Sequence, residues 1–186
     1  MYRSIFHCRS TSSWALLLQT VFVSVVTGVT QAYSQAPMTA LGSTIDLKFE
    51  ELRTATKIVL LIVPFPTAFR SHVNKDRLTK VACVFEVHSG QGSTFEEITE
   101  ITSRSVRPDE GPLRYPDMRV GVVFKNGADL IRGFYFEDRG AAREVAGMSG
   151  DVPVVASAEF PSRVRMLLAR PEVKSVNPQS SACHHL

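Results

Sequence analysis

Cysteine is scarce in this 186-residue chain, with three in all, so a dense disulfide scaffold is excluded. An excess of either charge sign is missing too, since 21 basic residues stand against 18 acidic ones, interspersed along the chain. That balance gives no reason to expect nucleic acid or anionic lipid as a partner. No apolar stretch reaches the about 20 residues that a membrane-spanning helix needs. Reaction signatures are absent as well: there is no G-x-S-x-G elbow, no dinucleotide fingerprint and no P-loop. The chain has no internal repeat and no low-complexity block.

Residues 1–36 are more legible. Tyr2, Arg3, His7 and Arg9 form a basic start without an acid, and an apolar run from Trp14 to Val29 follows. Small residues then offer cleavage after Ala32 or after Ala36. Pro37 disfavours the second, so a signal peptide over 1–32 is expected, and with it export to a periplasm or the extracellular space. The rival reading is an uncleaved signal-anchor through residues 14–29. Taking Arg3 and Arg9 from the 21 basic residues leaves 19 against 18 acidic, a nearly neutral mature chain.

About 150 residues remain, the size of one domain. Residues 33–42 suggest a flexible lead, 43–174 a single domain, and 175–186 a mobile polar tail. Ser43–Glu50 alternates apolar Ile45, Leu47 and Phe49 with polar residues, as a half-buried strand does. Lys57–Val63 is an unbroken apolar run that predicts a central strand buried on both faces, stopped by Pro64 and Pro66. Asn74 can cap a short helical turn around Leu78.

Val81 to His88 alternates again. Val81, Cys83, Phe85 and Val87 share the inward face, while Glu86 and His88 point outward. Two glycines later, Ser93 or Thr94 opens an amphipathic helix bearing Phe95, Ile98 and Ile101, with Glu96 or Glu97 completing a capping box. Ser105–Met118 is irregular. Asn126-Gly127 between two strand-like runs, 119–125 and 128–137, predicts a β-hairpin. Residues 140–150 are expected as a glycine-rich loop, Val152–Ala156 as a short strand, and Ser157–Arg170 as a helix. The sum is an α+β domain with an antiparallel sheet of about five strands and two longer helices packed on one face.

Chemistry is thinly signalled. Glu86, His88 and Ser89 are the catalytic candidates of a small hydrolase, two alternating residues and a neighbouring hydroxyl. Ser89–Thr94 enters a helix N-terminus, where backbone N–H groups can receive an anion. Cys183-His184-His185 carries metal-ligand types without a rigid fourth partner, so no metal and no cofactor are expected. Cys83 is either a buried free thiol or one half of a bridge to Cys183 that closes a loop of about 100 residues. The long loop 105–118 with the adjacent strand ends is the expected recognition surface, through Arg107, Arg114 and Tyr115, extended by Tyr135 and Arg139. The function expected is a non-enzymatic exported domain that binds a protein or cell-envelope component. A hydrolase and a signal-anchored accessory protein are the alternatives.

Overall fold

Lys57–Ile62, a run of β-branched and leucine residues, forms strand β1 and is buried along nearly its whole length. The computed structural model describes residues 47–65, 67–112, 114–138, 143–177 and 183. The signal peptide over 1–32, its alternative site after 36 and the lead over 33–42 lie outside the described residues. Ser43–Leu186 forms one compact unit.

Strand β1 pairs antiparallel with β2 (Cys83–His88) on one side and β4 (Met118–Asn126) on the other, in register over all six residues. β4 pairs with β5 (Asp129–Glu137), β5 with β6 (Glu144–Ser149), and β6 with β7 (Val152–Ser157). Two-residue strands close the edges: β3 (Arg107–Pro108) on β7 and β8 (Lys174–Ser175) on β2. The order is β3-β7-β6-β5-β4-β1-β2-β8, one open antiparallel sheet of eight strands rather than five. Such short edge strands leave little unpaired backbone to template another chain.

A sheet whose middle is apolar on both faces must be covered twice. On one face lie Ile58, Leu60, Ile62, Cys83, Phe85, Val87, Val122, Phe124 and Phe136. Helices α2 (Thr94–Ser105) and α3 (Phe160–Leu167) cover it with Phe95, Ile98, Ile101, Phe160, Val164 and Leu167. Phe160 meets Phe136 edge-on at 4.9 Å between ring centres. Buried Thr102 is satisfied by donating its hydroxyl to the Ile98 carbonyl at 2.7 Å. The opposite face carries Val59, Leu61, Val123 and Tyr135, and is covered by α1 (Lys75–Val81) and the segment 63–73. The Asn74 side chain caps α1 by accepting from the Arg77 N–H at 2.9 Å. No helix among the described residues is long and apolar enough to cross a membrane.

Several expectations shift. The alternating stretch 43–50 is not a strand in its described part: Lys48 adopts a left-handed conformation at φ 41°, and a 3-10 turn runs Phe49–Thr54. Residues 144–149 are strand β6 instead of loop. Gly147 is required there because Phe136 and the Tyr135 carbonyl occupy the space a Cβ would need, at 2.4 and 2.5 Å. The hairpin turn is Gly127-Ala128, one residue later than Asn126-Gly127. Only Gly127 takes positive φ, at 58°, so Asn126 remains in β4. The third helix is shorter than 157–170, because its first turn begins at Phe160 beside Pro161.

Ser175, Val176 and Cys183 are tied to β2, within the segment 175–186 where a mobile tail is expected. Ser175 lies opposite Phe85, and the Val176 N–H donates to the Val84 carbonyl at 2.9 Å. A disulfide joins Cys83 to Cys183, with Cα atoms 5.6 Å apart. The other residues beyond 177 lie outside the described set.

The bridge spans 100 residues, for which chain-entropy reasoning gives about 4.7 kcal/mol. Cys183→Ser should therefore lower the urea midpoint by an amount equivalent to a few kcal/mol. Reduction of the native protein should do the same, and an unchanged midpoint would show that the bridge is energetically idle.

Candidate functional site

The candidate site lies where β1 ends, β4 begins and β5 ends. A cleft of about 330 Å³ opens there, lined by Val63, Pro64, Phe65, Thr67, Asp117, Arg119, Asp138 and Arg165. Pro64 stops β1, and the chain turns out across the sheet's loop-covered face.

Asp117 and Arg119 hold that segment in place. Asp117 Oδ1 accepts from the Val73 N–H at 2.8 Å. Arg119 donates from Nε and Nη2 to Asp117 Oδ2 at 3.0 and 2.6 Å, and from Nη1 to the Thr67 carbonyl at 2.8 Å. The Met118 N–H donates to the Val73 carbonyl and the Val63 N–H to the Arg119 carbonyl. Phe69 lies between Arg119 and Arg77, with guanidinium carbons 5.0 and 5.3 Å from its ring centre. One strand end thus fastens both ends of the 63–73 segment. Burial alone would raise the pKa of Asp117, but the Val73 N–H and the Arg119 guanidinium outweigh it, aided by His72, and hold the carboxyl below its usual range.

A second pair stands opposite. Arg165 on α3 donates from Nε and Nη2 to Asp138 Oδ2 at 3.0 and 2.8 Å, and from Nη2 to the Val63 carbonyl at 2.9 Å. Its Nη1 is buried and finds no acceptor among the described residues. The Phe65 ring, 5.2 Å from the guanidinium carbon, offers its π face to that cation instead. Phe65 is 70% exposed, so one side of the ring rests against arginine and much of the rest faces solvent.

The expected recognition residues do not converge. Tyr115 is 80% exposed and sits two residues before Asp117, within about 7 Å of chain from the cleft wall. Arg114 is exposed beside it. Arg107 lies at the far edge of the sheet, forked onto Glu144 at 2.7 and 2.9 Å. Tyr135 is a core residue, 5% exposed. Its ring lies over Gly133 and beside Gly121, where a Cβ would approach it to 2.6 and 3.2 Å. Burial, with the charge of Asp76, pushes its phenol up. Arg139 lies outside the described residues.

The catalytic candidates part as well. Glu86 pairs with Lys57 at 2.9 Å and lies 3.6 Å from the His88 ring, all on the loop-covered face. Ser89 belongs to the other side, in a groove of about 720 Å³ between the 3-10 turn and α2. Ser89 therefore does not meet His88 in a nucleophile–base arrangement. Among the described residues no group of three His, Cys, Asp or Glu side chains could hold a metal. His184 and His185 of the C-terminal motif lie outside the described residues.

The anion-receiving turn 89–94 is filled by the chain itself. Ser93 makes no capping bond, and the reciprocal box with Glu96 or Glu97 does not form. Glu172 arrives from beyond α3: Thr94 Oγ1 donates to its Oε2 at 3.3 Å, and a Cβ at Gly92 would strike its Oε1 at 2.2 Å. The negative carboxylate thus sits at the positive end of α2.

Because Asp117 is ionised more readily in the folded protein, it stabilises the fold above the ordinary carboxylate range, and that contribution fades as pH falls through its lowered pKa. Asp117→Asn should lower the urea midpoint at pH 7, with the gap from the parent narrowing at pH 3. A gap independent of pH would show that the charge is not what holds the segment. No protein-family model, curated protein or solved structure matches this chain.

Proposed function

We propose that the protein is an exported, non-enzymatic binding domain whose recognition face is the cleft between Phe65, Asp117, Arg119, Asp138 and Arg165, flanked by Tyr115. The observation that carries this reading is the exposure of Phe65 at 70% and Tyr115 at 80% beside two half-buried arginine–aspartate pairs. Exposed aromatics beside desolvated arginines are the chemistry from which binding hot spots are built. Large rings have no folding reason to face water there, and leaving them exposed costs about 2 kcal/mol each relative to burial. The partner is a protein or a component of the cell envelope, and export to a periplasm or the extracellular space follows from the basic, apolar and small-residue succession of residues 1–36.

The hydrolase reading through His88 finds less support, since Glu86 is engaged by Lys57 and Ser89 lies across the sheet. The signal-anchor reading turns on residues 14–29, outside the described set.

Two measurements test the proposal. Protein recovered from its own cells should have a mass beginning at Tyr33 or Pro37; a full-length mass would refute cleavage and export as written. The immobilised chain should retain material from an envelope fraction of those cells. The double variant Phe65→Ala, Tyr115→Ala should retain at least tenfold less while unfolding at the same urea concentration. Equal retention by both proteins would move the recognition face elsewhere.

A further inference from the structure

The lining of the cleft restricts what can occupy it. Two carboxylates and two guanidiniums sum to no net charge, and each is already neutralised by its partner, Asp117 by Arg119 and Asp138 by Arg165. An anionic ligand would have to compete with aspartates held at 2.6–3.0 Å, and a cationic one with the arginines. Both would break a half-buried pair and leave a charge behind without its partner. A neutral ligand that both donates and accepts avoids this. A carboxylate has about four acceptor sites and a guanidinium five N–H groups. Asp117 takes three hydrogen bonds from the described residues and Asp138 two from Arg165, so acceptor capacity remains at both.

The cleft also has an apolar wall. Val63, Pro64 and Phe65 supply it, and the Phe65 ring is held from one side by Arg165, which leaves its other face available as a flat platform. Aliphatic C–H groups gain from lying on such a face, since the ring carries negative charge there. A volume of about 330 Å³ is at the lower end of small-molecule sites, room for a compact ring rather than a long chain.

Neutral, rich in hydroxyls that donate and accept, with a C–H face and ring-sized: these are the properties of a sugar. We propose that the cleft binds a neutral sugar ring of a glycan, its C–H face on the solvent-exposed side of Phe65 and its hydroxyls toward the Asp117–Arg119 pair. This rests on the reading of the cleft as the recognition face and names its ligand class: the envelope component is a neutral glycan.

The test uses amide NMR of the purified protein titrated with cellotetraose, maltotetraose, mannotetraose and chitotetraose, with acetate and methylguanidinium as charged controls. At least one tetrasaccharide should give saturable shifts at the amides of Phe65, Thr67, Arg119 and Asp138, and Phe65→Ala should weaken its binding at least tenfold. Acetate or methylguanidinium shifting those amides as strongly would overturn the inference in favour of a charged ligand. So would silence from all four sugars. If silence accompanies envelope retention that still depends on Phe65, the glycan assignment alone fails and a protein partner takes its place. If retention is also indifferent to Phe65, the recognition face fails with it.

Discussion

The burial of β1 on both faces is the constraint on which the remaining architecture depends. Five apolar residues following Lys57, in a strand paired with β2 and β4 over its whole length, leave no solvent side for β1 or for the middle of β4. The helices α2 and α3 can cover only one face. The other must be covered by the segment leaving β1 itself, and that segment arrives straight out of the strand at Pro64. It can return over the sheet only if something polar holds it at the sheet's end. Asp117 and Arg119 do so, with four bonds to its backbone counting the Met118–Val73 and Val63–Arg119 main-chain pairings. The cleft exists because this returning segment and α3 converge on one end of the sheet from opposite faces.

The ion pairs at that end are informative because apolar residues would cover a sheet end more cheaply. Half-buried charges pay desolvation, and an exchange for packed hydrophobic groups is often neutral or stabilising. Asp117 and Arg119 repay it by fixing backbone. Asp138 and Arg165 repay it less fully, since Arg165 reaches one carbonyl, that of Val63, and leaves a buried nitrogen without an acceptor among the described residues. That second pair, with the solvent-facing Phe65 against it, is the part of the molecule that folding explains least.

Much of the fold was legible because one period or one signal carried it. β1 is a continuous apolar run, β2 alternates, α2 shows a 3.6-residue stripe, and a positive-φ glycine marks the hairpin. Where a second chain segment supplies the reason, the sequence is silent. β6 looks like loop because its glycine answers to Phe136 on the neighbouring strand. The two-residue β3 and β8 have no period at all. Glu172 brings its carboxylate to the N-terminus of α2 across 78 positions, bonded to the Thr94 hydroxyl, which no local capping pattern can reveal. The cleft suffers likewise. Its arginines and aspartates are scattered from 117 to 165, and only Asp117 and Arg119, two apart at a strand start, were placed to be noticed together. Tyr135 reads as a surface residue for the same reason: the glycines at 121 and 133 that make room for its ring are the signal, and they speak only once β4 and β5 are paired.

The bond between Cys83 and Cys183 has a mechanical consequence. It closes a covalent ring that contains every strand from β2 to β8, while β1 stays outside as part of an open arm. Yet β1 lies in the sheet between β2 and β4, both members of that ring. A pull on the segment preceding β1 therefore cannot be relieved by paying out the 100 residues behind the disulfide. It must shear two antiparallel ladders at once, as a tongue drawn from a slot whose walls cannot spread apart by unravelling.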